Sequence, residues 1–177
     1  MRAVLKHAAE GEGLTPVQAQ TLRFAARTKS FMASVGNLAA ALGVTHVTAV
    51  KVVSGLERRG LLERTPSEWD GRVSLLRLTA SGTDVAARLA TWQQTLDRSL
   101  ALLTPAERAA LEPTLGAVVR SLQAASLLTV AEPCRGCVYF EEHANPQARE
   151  PHRCRLIERF ISERESLLEC PDHKAAA

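Results

Sequence analysis

The sequence predicts a mainly helical fold with one small β-hairpin, long helices in its second half suited to dimerisation, and a small metal-stapled module at the end. Three observations predict it. Thr15-Pro16 and Thr104-Pro105, followed by Gln18 and Glu107, mark helix starts in both halves of the chain. Asp70-Gly71 stands between two short apolar runs and marks a hairpin turn. All four cysteines fall within the last 44 residues, after 133 residues that contain none.

In chain order, the first helix starts at Thr15-Pro16-Val17-Gln18, with a capping threonine, a proline at the first helical position and a glutamine three residues after the cap. A short helix then runs from Val35 to about Leu42 and stops at Gly43, and Thr45 caps another that ends before Gly60. This is a helix-turn-helix layout. On its second helix Ala49, Val53 and Leu56 share one face, which leaves His46, Val47, Val50, Lys51 and Ser54 toward the other. The β-branched residues of that helix favour a strand weakly, and capping and context outweigh them.

Leu61 to Thr65 reads as a strand, SEWDGR as a turn, and VSLLRL as the returning strand before Thr79 leads into a long helix. A helix-turn-helix followed at once by a two-stranded hairpin is a winged helix. The hairpin tip is polar and ends in Arg72, placed to reach a phosphate or a minor groove. Beyond it, Val85, Leu89, Trp92, Leu96 and Leu103 mark one amphipathic helix, and Leu111, Leu115, Val118 and Leu122 mark another after the Thr104 cap. These apolar stripes are long for a chain with so little else to pack on them. They predict burial against a second subunit, with an intramolecular core as the alternative.

Composition bounds the function. A 46% apolar share sustains one good core with a small appendage. No apolar run approaches the roughly 18 to 20 residues that cross a bilayer, and MRAVLKHAAEGEG lacks the apolar stretch of a secretory signal. A soluble, cytoplasmic protein with no membrane partner is the expectation. Residues 1–133 hold 15 Lys and Arg against 11 Asp and Glu, while the remainder holds 7 against 8, so the basic surplus belongs to the helical part. That surplus is compatible with nucleic-acid binding. The chain shows neither a Gly-rich phosphate loop nor a nucleophile elbow, and it is read as a non-enzyme.

Roughly residues 14–125 resemble transcription regulators of the MarR family. The resemblance is carried by VGNLAAALG from Val35 to Gly43, THVTAVKVVSGLERRG from Thr45 to Gly60, the wing with Asp70 and Arg72, and LRLTASG from Leu76 to Gly82. It implies a homodimer that binds palindromic double-stranded DNA, with Thr45, His46, Val47, Thr48 and Lys51 in the major groove. It also implies Arg72 in the flanking minor groove, with Asp70 orienting it. The family often has Ser and Arg where this chain has Val47 and His46, which shifts base reading toward apolar contacts to thymine methyl groups and toward Lys51. Lys51 and Arg59 are either DNA contacts or solvated helix charges.

The domain reading is 1–130 for a winged-helix DNA-binding and dimerisation domain and 131–177 for a cysteine-rich metal-binding module. Cys134 and Cys137 form a C-x-x-C pair, and Cys154 and Cys170 follow after sixteen and fifteen residues. A C-x-x-C turn lets two sulfurs converge on one ion while distant cysteines close the set. Zinc is the first expectation and an iron–sulfur cluster the alternative, with Cys170-Pro171 resembling the ending of ferredoxin motifs. His152 and His173 lie near Cys154 and Cys170 and allow a set of three thiolates and one histidine. Arg135, Arg153 and Arg155 stand ready to offset the charge of a thiolate centre.

Three readings follow. The first is a DNA-binding regulator whose metal centre senses metal or redox state. The second is a regulator answering a small-molecule effector, with a purely structural zinc. The third is a thiol oxidoreductase, whose chemistry wants Cys-x-x-Cys at a helix N-terminus after a strand.

Overall fold

A computed structural model of the chain describes residues 8–68, 70–90, 97–125 and 132–175. Helix α1 (Pro16–Arg27) opens with the expected capping box: Thr15 Oγ1 accepts the Gln18 N–H at 3.3 Å and Gln18 Oε1 accepts the Thr15 N–H at 2.9 Å. Helix α2 (Val35–Leu42) is capped by Ser34 and ends on Gly43, whose φ of 63° is the left-handed conformation that glycine adopts without a Cβ clash. Helix α3 (His46–Arg58) starts from Thr45, whose Oγ1 accepts the Thr48 N–H at 3.2 Å. The chain bends by 111° between α2 and α3, within the range of helix-turn-helix pairs.

Strands β1 (Leu62–Pro66) and β2 (Ser74–Leu78) pair antiparallel from Leu62 opposite Leu78 to Pro66 opposite Ser74. The first strand thus begins one residue later than the sequence predicts. Helix α4 (Ala80–Leu89) starts from Thr79, which is anchored to the end of the helix-turn-helix by a 2.7 Å hydrogen bond to Gly60 O. Gly82 lies so close to the entry of β1 that a Cβ there would stand 1.8 Å from Leu61 O. The core lies between these elements, with Leu22, Leu38, Val53, Leu56, Leu76 and Leu89 fully buried. Each contributes about 1.5–3 kcal/mol on leaving water.

The amphipathic helix predicted through Trp92 and Leu96 is described only in part. Helix α4 closes at Leu89 with Ala90 as its cap, residues 97–101 are helical, and Trp92 and Leu96 lie outside the described residues. Helix α5 (Pro105–Ala124) follows the predicted Thr104–Glu107 box. On α5, Leu115, Val118 and Leu122 are exposed, so the described residues give this stripe no covering core. No single helix among the described residues is long and apolar enough to cross a membrane.

The cysteine-rich segment forms a three-stranded antiparallel sheet, β3 (Phe140–Glu141), β4 (His152–Cys154) and β5 (Arg159–Ile161), followed by the one-turn helix α6 (Glu163–Ser166). Ser162 and Glu165 form the predicted capping box of α6. Its interior is small, with Ile161, His152, Ser166 and Cys134 buried. The segment docks on the end of α1. The Lys29 N–H donates to Glu169 O at 3.1 Å, the Glu169 N–H donates to Arg27 O at 2.9 Å, and Arg27 Nε meets Glu169 Oε1 at 2.5 Å.

Candidate nucleic-acid interface and cysteine cluster

Burial of Ala49, Val53 and Leu56 fixes the rotation of α3: of the residues the spacing puts on the other side, His46, Val47 and Lys51 are exposed while Val50 and Ser54 are half-buried, and Thr45 and Thr48 are exposed at the helix start. Val47 is 64% exposed, so its side chain is open to a partner on this face. Between α3 and the wing lies a cleft of about 360 Å³, bordered by Ser34, Gly36, His46, Val50, Arg64 and Arg72.

The two arginines of this cleft differ in availability. Arg64 is held by Glu57 through Nε–Oε1 at 2.9 Å and Nη2–Oε2 at 2.6 Å, and this bidentate pair raises its pKa above the usual arginine value. Arg72 is exposed, and its guanidinium meets no acceptor among the described residues. Asp70 departs from the expected role of orienting that guanidinium. Its Oδ1 accepts the backbone N–H of Arg72 at 2.9 Å, and its carbonyl accepts the Val73 N–H at 2.9 Å. The carboxylate therefore shapes the turn that presents Arg72. Arg59 is spent elsewhere, donating to Gly13 O at 2.8 Å and Glu12 O at 3.0 Å.

The four cysteines come from a turn, a strand and a second turn. The Cys137 N–H donates to Cys134 O at 2.9 Å across Gly136, whose φ is 84°. Cys154 closes β4 opposite Phe140, and the His173 N–H donates to Cys170 O at 3.3 Å in a turn of the same span. The C-x-x-C pair thus sits on a turn, without the helix N-terminus that thiol oxidoreductase chemistry wants. All four thiols are free. Burial raises the pKa of Cys134 and of Cys170, and the Lys29 ammonium beside them opposes that effect in both. Cys137 and Cys154 are near enough to Cys134 to add to the rise.

As placed, no group of three or more His, Cys, Asp or Glu side chains among the described residues is disposed to hold a metal ion. His152 is buried with both nitrogens engaged, Nε2 by Glu163 Oε2 at 2.7 Å and Nδ1 by the His143 N–H at 3.2 Å. His173 differs: its buried Nε2 has no hydrogen-bond partner. The arginines expected to offset thiolate charge are taken by carboxylates, Arg135 by Glu142, Arg153 by Glu158 and Arg155 by Glu141. The buried Lys29, whose Nζ donates to Leu168 O at 2.9 Å and whose charge opposes the rise at Cys134 and Cys170, is a cation that sequence reasoning missed. A lone lysine far upstream carries no local signal of this contact.

Comparison with known proteins places this geometry. The MarR family model matches residues 12–73, from the segment before α1 to the wing tip. The DNA complex of MepR from S. aureus is similar at 23% identity and a TM-score of 0.56, covering 69% of this chain and 89% of that one. FabT of Streptococcus pneumoniae in complex with DNA is 22% identical with a TM-score of 0.55, covering 63% and 78%. Wild-type MarR from E. coli in its apo form is 22% identical with a TM-score of 0.53, covering 67% and 87%. No curated protein matches the chain. Residues 12–73 therefore carry the MarR-family pattern, and the chain has the winged-helix fold of MarR-type proteins.

Proposed function

We propose that the chain is a DNA-binding transcription regulator of the MarR type, acting as a homodimer on a palindromic site in double-stranded DNA. The observation that carries this reading is the outward face of α3, from Thr45 to Lys51, beside a wing whose Arg72 is free of protein acceptors among the described residues. In that docking α3 enters the major groove, Val47 meets thymine methyl groups, Lys51 meets a base edge or phosphate, and Arg72 enters the flanking minor groove. MepR and FabT, which share the fold, were solved with DNA. The uncovered stripe of Leu115, Val118 and Leu122 supports a second subunit as its partner.

The same reading makes Cys134, Cys137, Cys154 and Cys170 a metal centre, with zinc first and an iron–sulfur cluster as the alternative. Four free thiols within one small module, and the partnerless Nε2 of His173 beside the second turn, support it. Since the side chains as placed do not form a ligand set, the ion would have to draw the thiols together. Bound zinc would supply folding free energy to a module with little core of its own, whereas a cluster would make that support redox-sensitive. The module's docking on α1 gives loss or oxidation of the centre a route to the DNA-binding elements.

The test is titration of full-length protein with labelled DNA from upstream of its own coding sequence, at several salt concentrations. The expected result is binding that weakens steeply with salt, and a salt slope shallower by about 1 in Arg72→Ala. Binding that ignores both salt and Arg72 overturns the reading. Elemental analysis and an absorption spectrum of anaerobically purified protein decide between zinc and iron with sulfide; a metal-free sample overturns the centre.

A further inference from the structure

We propose that the C-terminal cysteine-rich module is a releasable clamp on the segment that enters the helix-turn-helix, and that its docked form is the DNA-binding form. The proposal rests on the DNA-binding reading above and is independent of any metal. Residues 28–34 join α1 to α2, and the module pairs with the start of this connector in a parallel β-bridge, Thr28 beside Glu169. The Lys29 N–H donates to Glu169 O at 3.1 Å, and the Glu169 N–H donates to Arg27 O at 2.9 Å. Side chains reinforce the bridge. Arg27 Nε meets Glu169 Oε1 at 2.5 Å, Lys29 Nζ donates to Leu168 O at 2.9 Å, and the Arg159 guanidinium lies 4.9 Å from the centre of the Phe31 ring.

The other end of the connector belongs to the DNA-binding elements. The Lys29 carbonyl accepts the N–H groups of Met32 at 2.8 Å and Ala33 at 2.9 Å, which closes a turn directly after the docked residue. Ala33 O accepts the Leu76 N–H of β2 at 2.7 Å, and Ser34 bridges Leu75. Ser34 Oγ also caps α2 by accepting the Asn37 N–H at 3.1 Å, and Asn37 Nδ2 donates back to Met32 O at 2.9 Å. Ser34 itself borders the cleft between α3 and the wing. Thr28, Lys29, Met32 and Ala33 are buried, so a shift at one end of this close-packed segment is passed to the other. Hydrogen bonds and a partly exposed ion pair are worth little net of the water contacts they replace, so the clamp can open. Opening leaves the start of α2 and the wing less firmly set against α3, and a surface that is less preorganised binds DNA more weakly.

The test uses full-length protein and DNA from upstream of its own coding sequence. Hydrogen exchange at the Lys29 amide reports docking, and circular dichroism reports folding. Glu169→Arg sets two cations against each other at the junction and adds positive charge to the chain, and charge alone would tighten DNA binding. An opened clamp should instead weaken binding by about five-fold or more, the lower end of typical coupling between sites, with faster exchange at Lys29. Combining Arg27→Glu with Glu169→Arg restores the pair at unchanged net charge and should return both readings toward wild type. Glu169→Pro removes the N–H that Arg27 O accepts and opens the junction by a second route. Faster exchange with undiminished DNA affinity overturns this proposal alone. Unchanged exchange in both Glu169→Arg and Glu169→Pro, or unfolding of both, would make the junction a fixed part of the fold and also overturns it. Wild-type protein without salt-sensitive DNA binding overturns the DNA-binding reading and this proposal with it.

Discussion

His152 is bound on both sides: Nε2 lies 2.7 Å from Glu163 Oε2, and Nδ1 accepts the N–H of His143 at 3.2 Å. An Nδ1 that accepts carries no proton, so the proton sits on Nε2 facing the carboxylate, and the ring is a neutral crosslink between β4, the 143 turn and α6. With the side chain 1% exposed, its removal leaves a cavity and an unsatisfied N–H. His152→Ala should destabilise the cysteine module by about 2 kcal/mol. On the proposed metal reading, zinc stoichiometry should stay that of the wild type. Thermal melting and elemental analysis check both, and a lost metal equivalent in a folded variant would make His152 a ligand.

Gly82 is required by distance. A Cβ would stand 1.8 Å from the carbonyl oxygen of Leu61 and 2.8 Å from its carbon, and backbone cannot step aside as a side-chain tip can. Gly82→Ala should therefore cost about 3 kcal/mol by forcing α4 away from β1, despite the better helix propensity of alanine. Urea unfolding at unchanged slope measures it, and a neutral or stabilising result would mean that the contact relaxes freely.

Gly82 also shows what was legible in the sequence. The caps at Thr15, Ser162 and Thr104, the stop at Gly43 and the buried face of α3 follow from local chemistry, and the residues within three or four positions that decide them are visible in one line. The outward placing of His46, Val47 and Lys51 on α3 was legible for the same reason. What was not legible depends on packing: Arg59 to Gly13 and Lys29 to the carbonyl of Leu168 join distant segments, and Arg64 to Glu57 spans the helix–strand junction. Such contacts depend on how elements pack, which propensity and periodicity do not encode. Arg135, Arg153 and Arg155 were read as charge balance for a metal centre because they flank cysteines, yet nearby glutamates satisfy them first.

The wing tip yields a prediction that separates shape from contact. Since Asp70 holds the Arg72 N–H and not its guanidinium, Asp70→Ala should loosen the tip while leaving the cation present. DNA affinity should fall less in Asp70→Ala than in Arg72→Ala, and only the latter should make the salt slope shallower by about 1. Fluorescence anisotropy across a salt series distinguishes them. Equal slopes for the two variants would return Asp70 to the role of orienting the guanidinium.

On α5 the apolar stripe has nothing to lean on among the described residues, with Leu115 52% and Val118 53% exposed. If a second subunit covers it, the double change Leu115→Asp and Val118→Asp buries two charges in that interface and should release monomers. Sedimentation velocity should show a wild-type dimer and a monomeric variant, with helix content unchanged by circular dichroism because neither residue supports the fold of its own chain. A monomeric wild type would leave the stripe without that partner.

The last prediction concerns pH. Glu12 meets Arg88 through Oε1–Nε at 2.6 Å and Oε2–Nη2 at 2.9 Å, tying the segment before α1 to α4. Hydrogen bonding from Arg88 holds the Glu12 carboxyl below its ordinary value of 4.5, outweighing the opposing effect of burial. A pKa depressed on folding means that the unfolded chain binds the proton more readily. The pair's contribution is therefore complete above the unfolded pKa and disappears as pH falls through the folded one. Glu12→Gln should melt slightly below wild type at pH 7, and the gap should close below about pH 4, where glutamate is protonated in the unfolded chain and increasingly in the folded one. The gap should also shrink in high salt, because Arg88 is more than half exposed. A gap that persists unchanged from pH 7 into that acidic range would assign the effect to packing of the side chain and not to its charge.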